Sequence, residues 1–474
     1  MKINKPVILL ILLLVSDCVK GQDVFLKGSG SGYADAELKF YSQTDPVTKR
    51  IKPLLRVKCG DTGSFSCVLP CNKSEIIFIN TGIFQFRLYV TEGCSYELLF
   101  PNFVPKAGIE DQNPFFKETE LMPEVINNKQ DINNLIRDFD SDYDPVFNFV
   151  ADRVFRNYKN EDLQKEISKL DKYPVVQDLP FYNSYVRCRK LMLNLVLSSA
   201  GADKIKALEF INSNFDSGNQ AHSDLAEQMF SGYFNNFLSG PLKDSFSRAI
   251  ATGSFSELKT VIMRDGKITN KELADFVILL NLYADYYNNS LPAENVRKII
   301  SLVRSQGESG FVKNIASVIL DKINFSLAGN FLPDFSLSDN AGKLISLKDF
   351  KGKYVLLSFA RSDNPPSLME LGVINTWQKK YSNDIQVVTV LADNNFISGL
   401  AKMKNSGFNW IFLNGSNRDY LEFVYDIKMY PSFILLDREG KIIADPCSYP
   451  SEELELKINK MLVANPGHSV PENR

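Results

Sequence analysis

Sulfur and imidazole are the scarce reactive groups in this chain: 474 residues carry seven cysteines and two histidines. Cys59, Cys67, Cys71 and Cys94 lie close together, and the first two flank the turn Gly60-Asp-Thr-Gly63. Facing one another across a hairpin, Cys59 and Cys67 would leave Cys71 and Cys94 as the second structural disulfide; four cysteines allow three connectivities in all. His222 and His468 read as solvated surface residues. So few histidines exclude most His-dependent catalysis and His-rich metal sites. Two acidic stretches imitate calcium loops and fail at key positions. Asp138, Asp140, Asp142 and Asp144 alternate suitably, but Tyr143 stands where the loop needs Gly and Phe149 where it needs Glu. Asp265-Gly-Lys-Ile-Thr-Asn-Lys-Glu272 follows Val261 and Met263 at its first and third ligand positions, and Thr269 with Glu272 reads as a capping box. Neither a metal nor a cofactor is expected.

Near the C-terminus the chemistry rests on Ser367 and Cys447, and the elements around them are legible. Tyr354-Val-Leu-Leu-Ser-Phe-Ala360 is a continuous apolar run, the mark of a strand buried on both faces. Asn364 before Pro365 is a helix start: Asn is a favoured N-cap, Pro suits the first turn, and Pro holds its predecessor extended. Leu368, Leu371, Ile374 and Trp377 then form one apolar stripe. Ser367 thus sits in the first turn of an amphipathic helix, with no histidine in its domain to act as a base apart from the one in the tail.

The segment "GKYVLLSFARSDNPPSLMEL" resembles the first strand and active-site turn of thioredoxin-like proteins of the TlpA/ResA and AhpC/TSA type, where "GKxVLLxFWASWCPPCxxEL" is usual. The resemblance puts Asn364 and Ser367 at the two redox cysteines, around Pro365 and Pro366. "LPDFSLSDNAGKLISLKDFKGK" before the strand and "MYPSFILLDREGKII" after it extend the likeness from Leu327 to Leu462, and Pro431, preceded by Tyr430, matches the family's cis-proline. Thiol exchange needs a thiolate attacking a disulfide, which neither Asn nor Ser supplies. The resemblance therefore implies a redox-inactive domain with no catalytic residue. In the peroxiredoxins that share the opening, Asn364 would replace the Cys and Arg361 the Thr. What the resemblance leaves is binding: the loop before the cis-proline pairs with an extended segment of a partner, Tyr430 adds a ring, and the helix start at Asn364 offers N–H groups to a carboxylate or other anion. The expected partner is an extended peptide or envelope protein. The alternative is a thiol-disulfide oxidoreductase or antioxidant enzyme working through Cys447.

The rest of the chain frames this domain. Lys2 and Lys5 before the apolar run Val7 to Val15 predict a signal peptide over 1–21, cleaved after Gly21 in preference to lipidation at Cys18, and hence an exported protein of a Gram-negative periplasm or outer envelope. No other stretch reaches the length of a membrane span. A formal charge of −2 gives no ground for nucleic-acid binding. Seven short strand-like runs over 22–107 predict an all-β sandwich, similar to modules that precede thioredoxin-like domains in Gram-negative envelope proteins. Period-3.6 patterns over 108–325 predict an all-α domain with Phe230, Tyr233 and Phe237 in its core. An α/β thioredoxin-like fold is expected over 326–465, its last helix capped by Ser451, followed by a disordered tail over 466–474.

Overall fold

The computed structural model describes residues 23–71, 74–113, 115–155, 160–197, 201–216, 218–325, 327–444 and 447–464. The expected signal segment 1–21, with Cys18, and the tail 466–474, with His468, lie outside them. The architecture is multidomain: an N-terminal β region, a central helical region and a C-terminal α/β domain. The chain divides into two compact units, 1–106 with 117–320, and 107–116 with 321–474.

In the first unit, β1 (Val24–Gly30), β2 (Glu37–Gln43), β3 (Ile51–Lys58), β4 (Ser64–Leu69), β5 (Glu75–Thr81), β6 (Phe84–Val90) and β7 (Ser95–Phe100) form two sheets. After α1 (Gly108–Gln112), which belongs to the second unit, β8 (Thr119–Leu121) and β9 (Glu124–Val125) complete them in the orders β4-β1-β7-β9 and β3-β2-β5-β6-β8. These last two strands come from the stretch expected to be helical. Alternating residues such as Leu26, Phe40, Phe65, Phe86 and Phe100 make one core, with Phe86 stacked on Phe100 at 4.5 Å. The sheets are mixed, since β1 runs parallel to β7 and β6 to β8.

Neither bridge of the expected pairing is formed, because Cys59, Cys67 and Cys94 are free thiols. The turn explains the first pair. Gly60 N–H donates to the Ser64 carbonyl at 2.8 Å, so Cys59 faces the level of Phe65, while Cys67 lies further along β4 opposite Leu26.

The helical region runs through α2 (Ile132–Phe155), α3 (Asn160–Ser168), α4 (Pro180–Leu197), α5 (Ala202–Asn214), α6 (Gln220–Phe230), α7 (Lys243–Thr252), α8 (Phe255–Arg264), α9 (Lys271–Asn288), α10 (Ala293–Gln306) and α11 (Gly310–Phe325). Phe230, Tyr233 and Phe237 are buried, as their apolar faces require. Helix α2 starts at Ile132 and runs through Pro145, its first turn tied by Asn133 and Asn134 to the backbones of Tyr89 and Val125. The four alternating aspartates are therefore helical, and Asp140 accepts from Arg87 Nη2 at 2.9 Å and from Tyr185 Oη. His222 is buried rather than solvated. Its Nδ1 accepts from the Asp216 N–H at 2.9 Å and its Nε2 meets Ser184 Oγ at 2.5 Å. Asn270, not Thr269, caps α9, because Asn212 Oδ1 already takes the N–H groups of Thr269 and Asn270; Glu272 instead accepts from Ser309.

In the second unit the hairpin β10 (Ser336–Ser338) and β11 (Leu344–Ser346) precedes β12 (Tyr354–Ala360), α12 (Pro365–Trp377), β13 (Ile385–Leu391), α13 (Phe396–Asn405), β14 (Ile411–Asn414), α14 (Arg418–Tyr425), β15 (Ser432–Leu436), β16 (Ile442–Ala444) and α15 (Leu454–Ala464). The sheet order is β14-β13-β12-β15-β16, with β12, β13 and β14 parallel and β15 antiparallel to β12. Every residue of β12 is buried, one face in a core with Leu371 and Trp377, the other with Tyr425 and Ile434. Such a strand needs its polar atoms matched. Ser358 Oγ meets Thr389 Oγ1 at 2.7 Å, and Trp410 Nε1 donates to the same oxygen at 2.8 Å. Ser451 does not cap α15, which starts at Leu454; its hydroxyl and N–H bind the buried carboxylate of Glu370 at 2.6 and 2.8 Å. No helix among the described residues is long and apolar enough to cross a membrane.

Candidate functional site

The turn after β12 is built from its own side chains. Asn364 is the N-cap of α12, and its Oδ1 accepts from Ser367 N–H and from Ser367 Oγ, both at 2.9 Å. Ser367 is fully buried, and its hydroxyl oxygen also accepts the Arg361 N–H at 3.4 Å. Pro365 and Pro366 are exposed. The expected anion seat at this helix start is not available: two prolines bring no N–H, and the next N–H goes to Asn364. Ser362, next to Arg361, gives its N–H at 2.9 Å and its hydroxyl to Asp393, and Gly399 leaves room for that carboxylate, since a Cβ there would lie 2.6 Å from Asp393 Cγ.

Strand register brings the second loop alongside. Phe359 pairs with Ser432, so Tyr430 and Pro431 run beside the end of β12 where the turn begins. The Tyr430-Pro431 peptide bond is cis. Burial pushes the Tyr430 phenol up to about 12, opposed by the nearby Arg418 and Arg361 charges, so it stays neutral and can donate a hydrogen bond. Met429 just before it is exposed, as is Met369 on α12. Cys447 is buried elsewhere in the domain; its N–H donates to the Phe433 carbonyl at 2.9 Å, and it belongs to the core with Leu371 and Leu435. No two of the described cysteines are joined, and no cluster of three or more metal-ligating side chains occurs among the described residues.

The charged part of the site escaped the sequence reading. Arg361 is buried and forked onto Asp363, with Nε and Nη2 donating at 2.9 and 2.8 Å. Its Nη1 donates to Asp111 Oδ2 at 3.3 Å. Arg418, first residue of α14, donates to both Asp111 oxygens, at 3.1 and 3.3 Å, and to Asn394 Oδ1 at 3.2 Å. A cation at a helix N-terminus opposes the macrodipole, and that misplaced charge was the one available signal for Arg418. Nothing in the sequence around Asp111 indicates where its carboxylate goes.

Residues 327–455 match the family model described as Redoxin. Among curated proteins, the chain is 31% identical over 116 residues to the thiol-disulfide oxidoreductase ResA of Bacillus subtilis (strain 168), a match covering 24% of this chain and 64% of ResA. Over 119 residues it is 31% identical to the thioredoxin-like protein YneN of the same strain, covering 24% of this chain and 68% of YneN. Among solved structures it is similar to a thiol:disulfide interchange protein from Bacteroides sp., at 25% identity and a TM-score of 0.28, covering 30% of this chain and 95% of that one. The chain thus spans less than two thirds of the length of that ResA.

Proposed function

This chain belongs, through its C-terminal domain, to the thioredoxin-like family, and from that premise we propose that the domain binds an extended peptide or envelope protein without exchanging disulfides. The observation that carries this reading is the filled turn: Asn364 and Ser367 spend their polar atoms on each other, and neither can become a thiolate. Strand addition along the Tyr430-Pro431 loop needs only backbone groups, so it survives the loss of sulfur. Exposed Met429 and Met369 supply adaptable apolar contacts nearby. Export to the periplasm or outer envelope is supported by the basic start and apolar run at the N-terminus.

A second reading is favoured by the curated relatives, several of which are named thiol-disulfide oxidoreductases. It makes Cys447 the nucleophile: its thiolate attacks a substrate disulfide, one sulfur leaves as thiolate, and a second thiol from an external reductant resolves the mixed disulfide. Insulin reduction with dithiothreitol, run on the mature protein and on Cys447→Ser, separates the two. No turnover above the reductant alone is expected. Turnover that disappears in Cys447→Ser would establish the oxidoreductase and end the binding-only reading.

A further inference from the structure

Two arginines meet beside the turn, and the carboxylate between them comes from a distant part of the chain. Residues 107–116 leave the first unit and pack with the C-terminal domain. Their backbone is held by their own atoms. Glu110 Oε2 accepts the Ala107 N–H at 2.7 Å, Asp111 N–H donates to the Ala107 carbonyl at 3.0 Å, and Asn113 accepts from Phe115 and Phe116 N–H. This short, self-bonded turn presents Asp111, while Ile109 and Phe115 project into solvent at 82% and 81% exposure. The polar contact with the arginines, and not apolar burial of these two residues, is what seats it.

The receiving side is preformed. Arg361 is fixed by its fork onto Asp363, and Arg418 is steadied by Asn394. Asp363 offsets one of the two positive charges; the other needs a second anion, because a largely buried guanidinium left without one is strongly disfavoured. A planar carboxylate taking two parallel N–H bonds from Arg418 is the geometry such a fork selects.

We propose that Arg361 and Arg418 form a carboxylate-binding site at the edge of the degenerate turn, that Asp111 fills it in cis, and that the ligand competing for it is an acidic side chain on an extended peptide. This deepens the binding reading above by naming the chemistry of its partner, and its test reads Asp111 occupancy, so it can fail while the absence of thiol turnover stands. A short tether holds its end group at an effective concentration on the order of millimolar, so only a peptide bound in several places displaces Asp111.

The test uses the full mature chain and a fluorescein-labelled peptide of residues 107–116, with a control peptide carrying Asn in place of Asp. Asp111→Asn, which keeps the side chain's shape but removes the charge that competes for the arginines, is expected to bind the acidic peptide about tenfold or more tightly than the wild type does. The control peptide and the double variant Asp111→Asn, Arg418→Gln are expected to lose that gain. Equal binding by wild type and Asp111→Asn, or no binding by a folded Asp111→Asn, overturns the proposal. Should Asp111→Asn not fold, hydrogen exchange of 108–113 in Arg418→Gln decides: faster exchange than wild type supports the site, and unchanged exchange overturns it.

Discussion

Asn364 and Ser367 differ from a reactive dithiol by their side-chain atoms alone; the buried strand, the N-cap position and the helix remain in place. The double substitution Asn364→Cys, Ser367→Cys is therefore expected to create insulin-reducing activity, because a helix N-terminus and the adjacent Arg361 lower a thiol pKa. Losing the Asn cap is expected to cost about 1 kcal/mol, read from the denaturation midpoint. Asp111 gives a second prediction at this scale. Burial pushes its carboxyl up, but hydrogen bonds and charge from Arg418 and Arg361 more than reverse this and leave it below its ordinary 3.8. A carboxylate depressed in the folded state contributes stability above its unfolded pKa and loses it only as pH falls through the lower, folded value. Protease resistance of 107–116 is thus expected to be unchanged from pH 7 to pH 5 and to fall only below about 4.

At the scale of elements, the strongest periodic signals carried through. The run Tyr354 to Ala360 became β12, Asn364-Pro365 became the start of α12, and the seven short runs became β1 to β7. Local reading failed where a distant side chain had already claimed the groups that a local rule assigns. Asn212 took the N–H groups beside Thr269, Glu370 took Ser451, and Asn133 with Asn134 carried α2 through Pro145. These are tertiary competitions, and the spacing of residues does not encode them. The polar ladder under the site is of the same kind: Thr389 joins Ser358 on β12 to Trp410 next to β14. Thr389→Val keeps the volume but orphans the indole N–H and one hydroxyl contact, an expected loss of about 1–3 kcal/mol in chemical denaturation.

For the whole molecule, composition and pattern showed three kinds of architecture but not where the chain is cut. Strand-like β8 and β9 are too short to carry a period, and the excursion 107–116 has no apolar stripe to announce its destination. Cysteine spacing misled for a related reason, since register, not proximity in sequence, decides which sulfurs face each other. Within the first unit, Arg87 of β6 joins Asp140 of α2 and Tyr185 of α4. Arg87→Ala leaves Asp140 largely buried without its main counter-charge, and a loss of about 3 kcal/mol or more is expected in thermal or urea unfolding of that unit.

The clasp at Asp111 also sets an order of events. Its oxygens meet Arg361 and Arg418 across 250 and 307 positions of chain, so the acid is synthesised long before either base. These long-range bonds cannot close until both guanidinium groups exist, so in a newly made chain the Asp111 carboxylate waits without its two bases until the C-terminal domain is complete.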